Sequence, residues 1–584
     1  MALAISFDKE NQIFTLSTKH STYQMHIEEH NILLHLYYGK TIATTPLSYL
    51  ICRQDRGFSG QPYDVEDAQG ISFDTSPQEY PTFGSGDYRE SCLSVIGTKG
   101  ETGADLRYVS HEILKTKPKL SSMPALYGEG VPTLAITMRD TFLPVEVLLY
   151  YSVFEENDAI TRSVVIKNVG TDTVYIDRAL SACLDFLNGS FDMVYFPGSW
   201  AAERMTERVS VNHAKISLDS LRGTSSHQMN PFAILCEKHT TEEQGAAYGA
   251  SLVYSGNFLM EAQADQTDQT RLVVGIHPQG FCYELAGSTE FVTPEVVFSY
   301  SASGFSKLSH NYHNLYKKHL LHGVWRDERR PILINSWEAT YFDFNGEKLL
   351  KLAKEAKELG IEMLVMDDGW FGKRDDDTSG LGDWIVNEKK LGMSLHELAS
   401  KVNALGLKFG IWFEPEMISE DSNLFHTHKD FCLRAGDRPY VRSRNQLVLD
   451  MSRADVRDYL FESISLVLQS AHIEYIKWDM NRSLCDVWSA NLPPNRQGEV
   501  YHRYVLGVYD LLERLTSAFP EILFEGCSGG GGRFDPGMLY YSPQIWCSDN
   551  TDALARIKIQ YGTSFCYPPS TMGAHGDNCK CIRP

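Results

Sequence analysis

"YIKWDMNR", residues 475–482, is the stretch on which the reading of the fold turns. Its first half has the apolar bulk of a buried strand, yet it runs out into Lys477, Trp478, Asp479, Asn481 and Arg482. An apolar strand ending in a cation, an indole and a carboxylate is arriving at a site rather than crossing a core. The same habit recurs from Pro331 onward. "PILINSW", "IEMLVMDDGW", "LKFGIWFEPE", "EILFEGCSGG", "QIWCSDNTD" and "PSTMGAH" bring the strand candidates to seven. Helical patterns lie between them. Leu349, Leu352, Ala353, Ala356 and Leu359 share one face before Gly360, as do Leu395, Leu398, Ala399, Val402 and Leu405 before Gly406. Helices alternating with strands that are apolar throughout predict a parallel sheet covered on both faces. A doubly wound sheet gathers its chemistry at one switch point, whereas a (β/α) barrel spreads it over the C-terminal ends of many strands. Polar residues close nearly every strand here, which favours the barrel.

Upstream the rhythm differs. "NQIFTLSTKHSTYQMHIEEHNILLHLYYG" and "LPVEVLLYYSVFEENDAITRSVVIKNVGTDTVYIDRAL" are short β-branched and aromatic runs broken by polar turns, the pattern of a large antiparallel sandwich. "FSKLSHNYHNLYKKHLLHGVW" reads as a helix joining the two halves. The expected organisation is therefore a β-sandwich at 1–305, a helical linker at 306–330, a (β/α)8-type barrel at 331–575 that is incomplete at its C-terminal end, and a nine-residue tail at 576–584. The fold class is α/β plus all-β.

With 584 residues the chain is too long for one ordinary core, so more than one domain is expected. Fifty-four basic residues against 75 acidic ones give a net charge of −21, which opposes binding to a phosphate backbone. Asp8 arrives too early for a signal-peptide apolar region, and no stretch approaches the ~20 apolar residues of a spanning helix. The 12 cysteines show no CxxC pairing, and Cys579 and Cys581 form only a CxC, a weak metal signal. Reduced thiols in a cytoplasmic protein are expected, with no membrane and no nucleic acid as partners.

The strand ends supply Trp337; Asp367, Asp368 and Trp370; Trp412, Glu414 and Glu416; Lys477, Trp478 and Asp479; Glu525 and Cys527; Trp546, Asp549 and Asp552. Carboxylates and indoles together suit sugars. The former take directional hydrogen bonds from ring hydroxyls, and the latter cover the C–H face of a pyranose. Cleaving a glycosidic bond needs two carboxyl groups, one to trap the oxocarbenium-like centre and one to protonate the departing oxygen. Lys477 lies two residues before Asp479 and can point to the same side of the strand, which would keep Asp479 ionised. That spacing makes Asp479 the nucleophile candidate, although an Asp near a Lys is also an ordinary ion pair. Other chemistries fit less well. Clustered histidines for a metal are missing, and no metal or cofactor is expected. "DDDTSGLGDW" from Asp375 lacks the Glu of a calcium loop and reads as a solvated loop. "CSGGGGRFDPG" lacks the Gly-Lys-Ser/Thr of a phosphate loop and reads as a wall along which a ligand can approach the backbone.

Taken in order, "MDDGWFG", "GIWFEPEM", "RPYVRSRNQLVLDMSR", "YIKWDMNR", "EGCSGGGGRFDPGML" and "WCSDNTDA" resemble the bacterial α-galactosidases (melibiases) of glycoside hydrolase family 36. "GDYRE" from Gly86, "FPGSWAAER" from Phe196 and "RGTSSHQMNPF" from Arg222 resemble that family's N-terminal sandwich, so the likeness runs from near residue 1 to about 575. What it implies is retaining hydrolysis of terminal α-D-galactosyl residues from oligosaccharides such as melibiose, raffinose and stachyose. Asp479 would be the nucleophile and Asp549 the general acid/base. Asp367 and Asp368 would hold the 4- and 6-hydroxyls, and Trp412, Arg444, Lys477, Cys527 and Gly530 would complete the galactosyl pocket with Trp337 nearby. In related homotetramers a loop of the N-terminal domain reaches a neighbour's site, and Asp55 and Trp200 occupy the corresponding regions.

After "STMGAH" members of the family continue, whereas here "GDNCKCIRP" follows, and a frame change or truncation is the expectation. Two alternatives accompany the main reading. One is an inactive, galactoside-binding fragment. The other is a galactosyltransferase related to raffinose synthases.

Overall fold

A computed structural model describes residues 4–43, 45–51, 58–65 and 71–575. Asp55 and the tail at 576–584 lie outside the described residues. The first half is entirely antiparallel. A four-stranded sheet over Ile5–Asp8, Ile13–Ser17, Ser21–Ile27 and Leu33–Lys40 accompanies a six-stranded and a ten-stranded sheet. In the ten-stranded sheet Val145–Phe154 alternates buried and half-buried positions along most of its length, as a strand with one covered face must. Its neighbour Ala159–Asn168 is buried almost throughout.

The joining helix is Gly304–His319. It buries Phe305, Leu308, Tyr312, Leu315 and Tyr316 against the ten-stranded sheet, where the Tyr312 hydroxyl donates to the carbonyl of Val297 at 2.9 Å. One continuous apolar core runs from the sandwich through this helix into the second half.

All seven strand candidates of the second half are strands of one parallel sheet, in sequence order. We label them β1 (Leu333–Asn335), β2 (Met363–Met366), β3 (Lys408–Phe413), β4 (Tyr475–Trp478), β5 (Leu523–Gly526), β6 (Gln544–Trp546) and β7 (Met572–Gly573). The connecting helices include Gly346–Glu358, Leu395–Ala404, Ala454–Ser470, Val500–Ala518 and Ala553–Ser564. Side-chain caps start three of them. At the start of Ala553–Ser564, Asp552 accepts from the amides of Leu554 and Ala555. Asn345 accepts from the amide of Lys348 at 3.0 Å and Ser394 from that of Glu397 at 3.2 Å. Leu359 departs from its expected place on the apolar face. It lies just beyond the last turn and is 83% exposed.

The sheet curls into most of a barrel. Lys477 on β4 reaches Asp367, just past β2, over the intervening β3, and His575 beyond β7 reaches Glu525 on β5. Such contacts between non-adjacent strands require a concave face. Among the described residues β1 and β7 each have one neighbour in the sheet. No described helix is long and apolar enough to cross a membrane.

Candidate active site

At the C-terminal ends of the parallel strands lies a cavity of about 630 Å³, lined by residues at or just past the ends of β1–β7 and by the sandwich. Its floor is a buried charge pair. Lys477 Nζ donates to Asp367 Oδ2 at 2.9 Å, and Asn335 Nδ2 donates to the same oxygen at 2.6 Å. Burial opposes the ammonium, but Asp367 and then the neighbouring Cys527 and Asp479 hold its pKa well above the ordinary lysine value. Next to it Asp368 is gripped by the fork of Arg374, Nε to Oδ1 at 3.0 Å and Nη2 to Oδ2 at 2.8 Å. Burial raises the Asp368 pKa, and Arg374 offsets this only in part.

Asp479 emerges from β4 into a ring of donors. Oδ2 accepts from the indole of Trp412 at 3.1 Å and from Asn481 Nδ2 at 2.8 Å, while Oδ1 accepts from the backbone amides of Met480 at 2.9 Å and Gly529 at 3.3 Å. Burial pushes its pKa up. Lys477 and the bonds from Asn481, Cys527 and Trp412 more than offset this, so the carboxyl stays below its ordinary value. It is therefore an anion at neutral pH, oriented at both oxygens. The Cys527 thiol behind it is held neutral by burial and by the Asp479 charge, so it can act as a donor.

Asp549 follows β6 at the mouth of the cavity and is half-buried. Its two oxygens accept from two indoles, Trp546 Nε1 to Oδ1 at 3.0 Å and Trp200 Nε1 to Oδ2 at 2.9 Å. Trp200 comes from the sandwich. Within this chain its indole meets Asp549. Across the mouth Trp337 and Arg444 line the rim. Arg444 rides the tight turn Ser443–Gln446 just before the short strand Leu447–Val448, at φ +50°.

Of the sequence candidates, Trp200, Trp337, Asp367, Asp368, Trp412, Arg444, Lys477, Asp479 and Asp549 all line the one cavity. Cys527 and Gly530 are buried immediately behind it, the former against Asp479 and the latter against the amide of Asp549. Arg374, Asn481 and His575 were not foreseen. The first two bond the site carboxylates, while the His575 ring lies on Trp546 at a centroid distance of 3.8 Å and an angle of 7°. Arg374 had a signal in the cation pair of "FGKRDDD", which stands immediately before the loop that begins at Asp375. Among the described residues no group of three His, Cys, Asp or Glu could hold a metal ion.

Comparison with known proteins bears on both halves of the chain. The family model for melibiases matches residues 290–580, and that for the glycosyl hydrolase family 36 N-terminal domain matches residues 31–286. A bifunctional alpha-galactosidase/sucrose kinase, AgaSK, of Mediterraneibacter gnavus is 53% identical over 98% of this chain and 60% of its own length. Alpha-galactosidase AgaA of Geobacillus stearothermophilus is 49% identical over 98% of this chain and 79% of its own. Crystal structures of substituted forms of AgaA, one with raffinose and one with stachyose, superpose with a TM-score of 0.95 over 96% of this chain and 79% of theirs. The chain thus spans three fifths of the bifunctional relative and four fifths of the single-function one. Both of its halves carry the family's sequence and the family's fold, and the chain belongs to glycoside hydrolase family 36, the melibiases.

Proposed function

We propose that this chain removes terminal, non-reducing α-D-galactosyl residues from oligosaccharides of the raffinose type by a double displacement. The observation that carries the reading is the unequal setting of two carboxyl groups in one cavity. Asp479 is deep, ionised and fixed at both oxygens. Asp549 is at the mouth, where a leaving group departs. In the first step Asp479 attacks the anomeric carbon as the exocyclic C–O bond breaks, and the proton of Asp549 passes to the leaving oxygen. In the second, the Asp549 carboxylate takes a proton from water as that water attacks the anomeric carbon and frees Asp479. Two inversions give net retention.

Asp367 and Asp368, at the base of the cavity, take the hydroxyls at the closed end of the sugar. Their own cations, Lys477 and Arg374, leave lone pairs free to accept from substrate. The Trp412 indole faces the ring, and Trp337 and Arg444 meet the aglycone side. The structures of the AgaA relative with raffinose and stachyose support this substrate class. The nine described cysteines are all free thiols, in keeping with a reducing, cytoplasmic setting, and the proposed assembly is a homotetramer.

Proton NMR of melibiose hydrolysis tests the reading. The first galactose released is expected as the α anomer, with the β anomer growing only by mutarotation. β-Galactose as the initial product, or bound galactose with no turnover, overturns it. Transfer to added sucrose in preference to water would assign the galactosyltransferase activity instead.

A further inference from the structure

Five residues of the sandwich, Trp200–Arg204, enter the barrel and close on the loop that carries Asp549. Glu203 is fully buried. Its Oε2 accepts the hydroxyl of Ser548 at 2.6 Å, and its Oε1 accepts the amide of Gly531 at 3.3 Å. One carboxylate thereby ties the loop after β6 to the loop after β5. The amide of Gly529 in that second loop bonds Asp479. Arg204 completes the clamp, with Nη1 to the carbonyl of Gly531 at 2.8 Å, Nη2 to that of Cys547 at 2.6 Å and Nε to the Thr563 hydroxyl at 2.7 Å. On the far side Asn550 Nδ2 donates to the carbonyl of Ala201 at 3.0 Å. Both chain neighbours of Asp549 are thus held by this hairpin.

The glycine run at 529–532 accounts for how the hairpin fits. A Cβ on Gly530 would stand 2.8 Å from Glu203 Oε1 and 2.8 Å from the amide nitrogen of Asp549, and one on Gly531 would strike the Arg204 guanidinium. Gly529 and Gly532 of the run line the cavity, as a wall for a ligand does, while Gly530 and Gly531 admit a carboxylate and a guanidinium from the other half of the chain.

We propose that Glu203 is a positioning residue for proton transfer. Through Ser548 it sets where the Asp549 carboxyl stands relative to the glycosidic oxygen. The inference rests on the assignment of Asp549 as acid/base. A fully buried carboxyl with both oxygens bonded holds its partners in one arrangement, and proton transfer tolerates little displacement of the acid.

A structural clamp and a positioning residue differ in which substrates suffer. Melibiose has a poor leaving group that needs protonation, whereas a dinitrophenyl α-galactoside has one that leaves unaided. The experiment compares Glu203→Gln, Ser548→Ala and Asp549→Ala on both substrates. For the first two, kcat/KM on melibiose is expected to fall about 10²-fold. On the dinitrophenyl glycoside it should stay within about threefold, while kcat and KM fall together because the galactosyl-enzyme accumulates. Added azide should then raise kcat and yield the α-azide. Ser548→Ala removes only a hydroxyl and carries the test should Glu203→Gln not fold. Equal losses on the two substrates, or wild-type turnover of melibiose, overturn the proposal while Asp549→Ala shows the split. Absence of the split in Asp549→Ala itself would instead refute the acid/base assignment.

Discussion

Glu414, at the end of β3, shows how one residue can be both necessary and neutral. It is fully buried, and its oxygens accept from the amide of Asn481 at 2.6 Å and from Gln446 Nε2 at 2.9 Å. Asn481 in turn bonds Asp479, so Glu414 braces the turn that presents the proposed nucleophile. Burial first, and the Asp479 charge second, push its pKa up to about 8 from an ordinary 4.5. The folded protein therefore holds a proton that the unfolded chain has released. Below about pH 4.5 this costs no stability, and as pH rises toward 8 the cost grows to the order of 5 kcal/mol. Glu414→Gln removes that penalty, and the Gln446 amide can turn to meet it because its Oε1 has no partner of its own. We expect the variant's thermal midpoint to exceed the wild type near pH 8 and to converge on it near pH 4.5, with melibiose turnover retained within about tenfold. Parallel midpoint curves across that range would contradict the account.

At the scale of elements, all seven parallel strands were legible because each is a short apolar run closed by polar residues, a pattern that a covered parallel sheet forces on its strands. Helix ends were legible through Gly360 and Gly406, yet Leu359 was misplaced because spacing alone does not show where the last turn ends. The strand ends also gave most of the cavity, since strand order fixes which termini meet. Much of what stayed illegible came from elsewhere in the chain. Glu203 and Arg204 stand more than 300 residues from Asp549, and no periodicity relates a sandwich hairpin to a barrel loop, so Trp200 of the same hairpin was reached only through the family resemblance. Gly530 is where that contact can be probed. At φ +86°, with Glu203 and the Asp549 amide at the place a Cβ would occupy, alanine there strains the backbone and displaces Asp549. Gly530→Ala is expected to lose about 1–3 kcal/mol of stability and to turn over melibiose at least about tenfold more slowly. Wild-type midpoint and turnover would show that the socket is loose.

As a whole molecule, the chain joins its halves with polar groups as well as with a shared core. Asp535 accepts the hydroxyls of Ser225 and Ser255, each at 2.6 Å, while capping the helix Pro536–Tyr541. Asn230 donates to the carbonyl of Phe534 at 2.7 Å and accepts from Tyr567 at the same distance. The sandwich is thus part of the candidate site's frame, and the proposed reaction depends on both halves keeping register. In that proposal the dependence ends at one atom, the anomeric carbon, which Asp479 attacks from the closed end of the cavity. Asp479→Ala, assayed on a dinitrophenyl α-galactoside with and without azide, tests this most directly. The account predicts no detectable hydrolysis without azide, and with it a galactosyl azide of β configuration, because the anion enters the vacated space and inverts the centre once. Hydrolysis at the wild-type rate, or an α-configured azide, would contradict it.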